Sequence, residues 1–88
     1  MVKAKIENIL KDKFQPQYLE VIDDGHKHIG HEGAKQGGHF TVIIVSSVFE
    51  SVRLIDRHRM IYEALKPIKI SIHALAIQAK AKSEVLTS

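Results

Sequence analysis

The chain has 88 residues, 44% hydrophobic and 26% charged, with a formal net charge of +3, which fits one ordered domain with a core only just large enough for it. It has no cysteine, so disulfide frameworks, thiolate zinc fingers, thiol redox chemistry and cysteine nucleophiles are excluded. No stretch reaches the roughly 18 apolar residues of a membrane span, and MVKAKIENIL, with its early Glu7, is amphipathic and unlike a signal peptide.

The first element is a helix. Ile6, Ile9, Leu10 and Phe14 recur at helical spacing with Lys and Glu between them, and Pro16 stops the run because it disfavours a helical residue before it. YLEVID, Tyr18 to Asp23, alternates with Leu19 and Val21 on one face, which predicts a half-buried strand. DDGHKHIGHEGAKQGGHF, Asp23 to Phe40, holds four of the six histidines and all five glycines. It reads as a connector, with Gly25 to Gly38 expected to move in the free protein because only Ile29 could anchor it.

FTVIIVS, Phe40 to Ser46, is β-branched and apolar on both faces, the mark of a central strand. Ser47 and Glu50 have capping-box spacing for a helical turn. From Arg53 onward, Leu54, Ile55, His58, Ile61, Tyr62 and Leu65 predict one helix stripe, ending at Lys66-Pro67. IKISIHALAI then predicts the last strand, with Ile70, Ile72 and Ala74 opposed to Ser71, His73 and Leu75. Residues 82–88 have room for about two helical turns and are expected to be a loose tail.

The order is α-β-β-α-β(-α), a single domain over 1–88 with its core within about 3–81. The first two strands can pair as an antiparallel hairpin, and a strand-helix-strand step is normally a parallel crossover. The expected fold class is therefore α+β: two layers, a three-stranded mixed sheet, helices on one face.

No Ser-His-Asp arrangement, paired carboxylates, P-loop or dinucleotide-binding glycine run is present, so no enzyme is expected. His58, on the apolar stripe, reads as a packed, hydrogen-bonded helix residue. Arg53 and Arg57 are an i, i+4 pair, with Arg59, Lys66 and Lys69 following. These five are candidate contacts for phosphate or for a partner's acidic groups, set against the plain alternative of a solvated helix face. Gly30 to Gly33 matches the GxxG of RNA-binding KH domains, but it lies between strands rather than between helices. The segment that would need it, SSVFESVRL, has no glycine, so the match is a coincidence. The loop histidines can also take zinc or nickel adventitiously.

Three stretches, YLEVIDDGHKH, RHRMIYEAL and IHALAI, resemble the BolA family in order and spacing from about Ile6 to Ala81. The loop resembles the family's histidine-bearing type, about two residues longer than in its shorter members. The resemblance implies a fold similar to the class II KH domain. It also implies a monothiol glutaredoxin partner and a shared, bridging [2Fe–2S] cluster. The glutaredoxin would give a cysteine and a bound glutathione would give the second thiolate, while this chain gives a loop histidine and the last strand's histidine. Those positions are His28 and His73, with His31 as a substitute; His26 and His39 rank lower, His39 as the mere start of the second strand. The expectation is an adaptor in iron–sulfur trafficking or iron regulation, monomeric and cluster-free alone, heterodimeric when loaded, located in the cytoplasm (or the mitochondrial matrix if eukaryotic). A second function attached to the family is DNA-binding transcriptional regulation of morphology or stress response, through the basic second helix and the strand after it.

Overall fold

The computed structural model describes residues 2–24 and 38–86. In α1 (Val2–Phe14) the buried residues are Ile6, Leu10 and Phe14, three members of the predicted stripe. Gln15, in the left-handed region at φ 41°, ends the helix by donating its N–H to the Lys11 carbonyl at 3.1 Å. Pro16 then directs the chain into β1 (Tyr18–Asp23).

β1 runs antiparallel to β2 (Gly38–Val45), with Tyr18 opposite Val45 and Asp23 opposite Phe40. Just beyond the last rung the Asp24 N–H donates to the His39 carbonyl at 2.7 Å, and the Thr41 hydroxyl donates to the Asp24 carboxylate at 2.7 Å. On its other side β2 pairs in parallel with β3 (Ile72–Lys80), from Phe40 beside Leu75 to Val45 beside Lys80. The sheet order β1-β2-β3 thus makes β2 the central strand, as its composition predicts.

α2 (Leu54–Ala64) makes the crossover. Its Ile61, with Leu65 just after it, joins Ile6, Leu10 and Phe14 of α1 over Val21, Phe40, Val42, Ile44 and Ala79 of the sheet, all buried in one cluster. Both long helices therefore cover the same face, giving the expected two-layer α+β domain.

Four local expectations are corrected. First, the helical turn Ser47–Phe49 is capped by buried Ser46 rather than by Ser47: its hydroxyl accepts from the Val48 N–H at 3.1 Å and donates to the Phe14 carbonyl at 2.6 Å. Glu50 closes no capping box and instead accepts from the N–H and hydroxyl of Ser83.

Second, the buried face of α2 is Arg57 and Ile61, while Leu54, Ile55 and Tyr62 stay exposed. Third, Lys66–Ser71 forms 3-10 turns, where Pro67 suits a helical start. β3 therefore begins only at Ile72, Ile70 is 92% exposed, and the residues of the strand that pack on the core are Ile72, Leu75, Ile77 and Ala79, while Ala74 is exposed, so the simple alternation is broken. Fourth, the tail forms α3 (Lys82–Leu86) and is tied to the domain.

That tie is Arg57, whose residue is 4% exposed. Its Nε donates to the Val52 carbonyl at 2.7 Å and its Nη1 to the Ala79 carbonyl at 3.0 Å. Nη1 and Nη2 also grip the two Glu84 oxygens at 2.7 and 2.8 Å, the bidentate geometry that makes arginine–carboxylate pairs strong. Glu84 accepts in addition from the Ala81 N–H at 2.8 Å, the reach-back of a third-position glutamate to its own helix start. Its carboxyl is held at about 2, against an ordinary 4.5, first by the Arg57 hydrogen bonds and then by that N–H.

A carboxyl with a depressed folded pKa stabilises the fold above its unfolded pKa and loses that contribution as pH falls toward the folded value. Glu84→Gln is therefore expected to lower stability at neutral pH, with a deficit against wild type that shrinks between pH 4.5 and about 2. Urea denaturation at a series of pH values measures it. A deficit unchanged down to pH 2 would remove the ion pair from the account of acid stability.

Candidate functional site at the start of the third strand

Two strands that run parallel begin at the same end of a sheet, and here each carries a histidine at its second residue. Gly38 pairs with Ile72, but His39 pairs with Ala74, so the register slips by one and His73 is the extra residue of a bulge. Bulges re-aim side chains. By simple alternation His73 would share the inward face of Leu75, Ile77 and Ala79. Instead it is exposed, and its ring lies 5.1 Å from the half-buried ring of His39, the planes inclined at 38°.

Gly38 makes room for this junction. A β-carbon there would stand 2.4 Å from Cε2 of Phe40, a ring 4% exposed within the core and unable to swing away freely.

Beside the junction a groove of about 700 Å³ runs between α2 and β3. Tyr62, Leu65, Ile72 and Leu75 give it apolar walls, and the Tyr62 hydroxyl donates to the Leu75 carbonyl at 3.2 Å. Arg59, Lys66, Lys69 and His73 supply its basic side, with Glu63 the one acidic residue among the described lining. Glu63 and Lys66 are 4.0 Å apart and well exposed, a contact that neutralises little.

The predicted site residues separate into three groups. His73 stands exposed at the bulge, next to the strand on which the histidine-rich loop ends. His28 and His31, with His26, lie outside the described residues, as does the predicted mobile loop Gly25 to Gly38 except for Gly38 itself, which is the first residue of β2.

The basic residues are not one surface. Arg59, Lys66 and Lys69 line the groove, while Arg53 is exposed before α2 and pairs with Asp56 at 3.1 Å. Arg57 is corrected from a contact candidate to a buried structural residue, since its guanidinium is committed to Val52, Ala79 and Glu84. His58 is half-buried in a shallow hollow with Leu54 and Ile77, and no side-chain hydrogen bond joins it to another described residue.

Sequence reasoning missed His39 as a neighbour of His73. The parallel crossover puts the two strand starts side by side, but the bulge that turns His73 toward His39 leaves no trace in the spacing. It also missed Tyr62, which was assigned to the core stripe.

A mixed three-stranded sheet backed by helices, with an exposed histidine at a bulge near the start of the last strand, defines a small two-layer α+β domain. The model of the family described as BolA-like protein matches residues 10–84, and the chain belongs to that family. It is 40% identical over 78 residues to the DNA-binding transcriptional regulator BolA of Escherichia coli, covering 88% of this chain and 72% of that one. It is 36% identical over 88 residues to SufE-like protein 1 of Arabidopsis thaliana, covering 92% of this chain but 24% of that longer protein. The solved BolA domain of Arabidopsis thaliana SufE1 superposes with a TM-score of 0.81 at 38% identity, covering 94% of each chain. The Escherichia coli relative is named as a regulator, and the Arabidopsis thaliana structure by its BolA domain.

Gly38→Ala is expected to destabilise the fold by about 1–3 kcal/mol, the usual cost of overpacking, and to alter the His39–His73 contact. Chemical denaturation gives the first, and ring-proton shifts give the second. A variant as stable as wild type with unchanged histidine shifts would show that the close approach to Phe40 is not a constraint.

Proposed function

We propose that the chain is a partner-dependent adaptor that shares a [2Fe–2S] cluster with a monothiol glutaredoxin. The observation that carries this reading is His73, an exposed imidazole at the bulge beside the strand that ends the histidine-rich loop. The donor chemistry fits half of a cluster site. Such a cluster takes four ligands, and two imidazoles can replace two thiolates on one iron. A chain without cysteine has no thiolate to offer, so the thiolates fall to the partner and its glutathione.

In this reading His73 is the fixed ligand, set by β3, and His28 is the loop ligand, with His31 able to substitute. The cluster is the cargo, and mixed ligation lets it pass by ligand exchange. The groove lined by Arg59, Lys66 and Lys69 gives an acidic segment of the partner a place to dock.

Mixing the protein with cluster-loaded glutaredoxin should change the visible circular dichroism, and His73→Ala should abolish most of that change. His28→Ala should leave a weaker or altered spectrum, and the isolated chain should hold no stable cluster. Ligands must be neutral imidazoles, so protons compete with iron and the mixed complex should weaken as the solution is acidified. Identical spectra for wild type and His73→Ala would remove His73 and the adaptor mechanism together.

The second reading, direct DNA binding, is favoured by the same basic groove and by the name of the Escherichia coli relative. Here Arg59, Lys66, Lys69 and the exposed Arg53 would meet phosphates, without Arg57. Three or four contacts predict a shallow salt slope and weak, nonspecific binding. Sequence-specific binding tighter than about 10⁻⁸ M at physiological salt would reverse the order of the two readings.

A further inference from the structure

We propose that His39 and His73 form a two-imidazole site for one divalent cation of the zinc, nickel or copper kind, open to the isolated chain without any glutaredoxin. The spacing is the first argument. With zinc–nitrogen bonds of about 2.0–2.1 Å and each nitrogen roughly 1.1 Å from its ring centre, two imidazoles on a tetrahedral ion have centroids about 5.2 Å apart. The observed separation is 5.1 Å.

Preorganisation is the second. His39 sits on the central strand, its carbonyl held by the Asp24 N–H, and His73 sits within β3 between the paired residues Ile72 and Ala74. Two donors already placed by strands require little ordering on binding.

The chemistry of the donors selects the ion. Imidazole nitrogen suits zinc, copper and nickel, whereas calcium and magnesium require oxygen ligands. Among the described residues no group of three or more His, Asp or Glu comes together, so the remaining coordination positions belong to water or to an incoming ligand, as in an open site. A contact between two uncharged rings accounts for the same separation, and the experiment separates the two explanations.

A cation on His73 occupies the nitrogen that cluster sharing needs, so one load would exclude the other. That consequence rests on the cluster reading; the cation site does not.

Titration calorimetry with Zn²⁺ on the isolated chain, with ring-nitrogen NMR of the same samples, tests the site. Wild type should bind one strong equivalent and shift the ring nitrogens of His39 and His73. His39→Gln and His73→Ala should each weaken that binding at least tenfold, with their amide spectra confirming the fold. The variant with His26, His28 and His31 all changed to Gln should keep the affinity within about threefold. Unchanged affinity in either single variant, loss of binding in the loop variant, or no binding by wild type would each overturn the proposal.

Discussion

A guanidinium with almost no exposure dictates where its surroundings must stand. Leaving such a charge unpaired costs several kcal/mol, so the partners of Arg57 are fixed as a set: the Val52 carbonyl before α2, the Ala79 carbonyl on β3 and the carboxylate of Glu84 on α3. The same guanidinium lies 6.0 Å from the ring centre of Phe49, which meets Phe14 of α1 at 5.3 Å. One side chain thus joins the three helices to the edge strand. It also sets the rotation of α2. With Arg57 and Ile61 turned inward, Arg59 and Tyr62 must face outward, along the groove.

The two ends of β3 are consequently built differently. Near Ala79 the strand is locked by a charged network and followed directly by a docked helix. Near Ile72 it starts from 3-10 turns, slips register by one residue and exposes a histidine. Stability is concentrated at one end and reactive nitrogen at the other. The basic groove begins at that second end, so a partner approaching along Lys66 and Lys69 arrives at His73.

Much of this was legible from the chain. Helix α1 followed from Ile6, Leu10, Phe14 and Pro16, and β1 followed from the alternation of Leu19 and Val21. The central place of β2 followed from its β-branched run, and the pairing directions from connection length. Where reading failed, a non-local interaction had overruled a local pattern. The stripe through Leu54, Ile55 and Tyr62 looks apolar, but burial of Arg57 turns α2 away from it. Ile70 and Ile72 alternate like a strand, yet Pro67 begins a turn that consumes Ile70, and the bulge at His73 shifts the inward parity from Ile72 to Leu75. His73 was identified as a site residue through resemblance. Its contact with His39 depends on a bulge that no spacing along the chain reveals.

The outer rim of β3 shows a further use of α2. Lys80 gives its carbonyl to the Ser46 N–H on the β2 side, so residues of the other parity point their carbonyls away from the sheet. Two of these, Leu75 and Ala79, are taken by Tyr62 and Arg57. A bare edge of nine residues is a template for another chain to add a strand, the first step of sheet-to-sheet aggregation. Here only a short stretch around Ile77 remains open between two occupied carbonyls. The helix that carries the crossover thus also fences this rim of the sheet, leaving less of β3 as a template for strand addition.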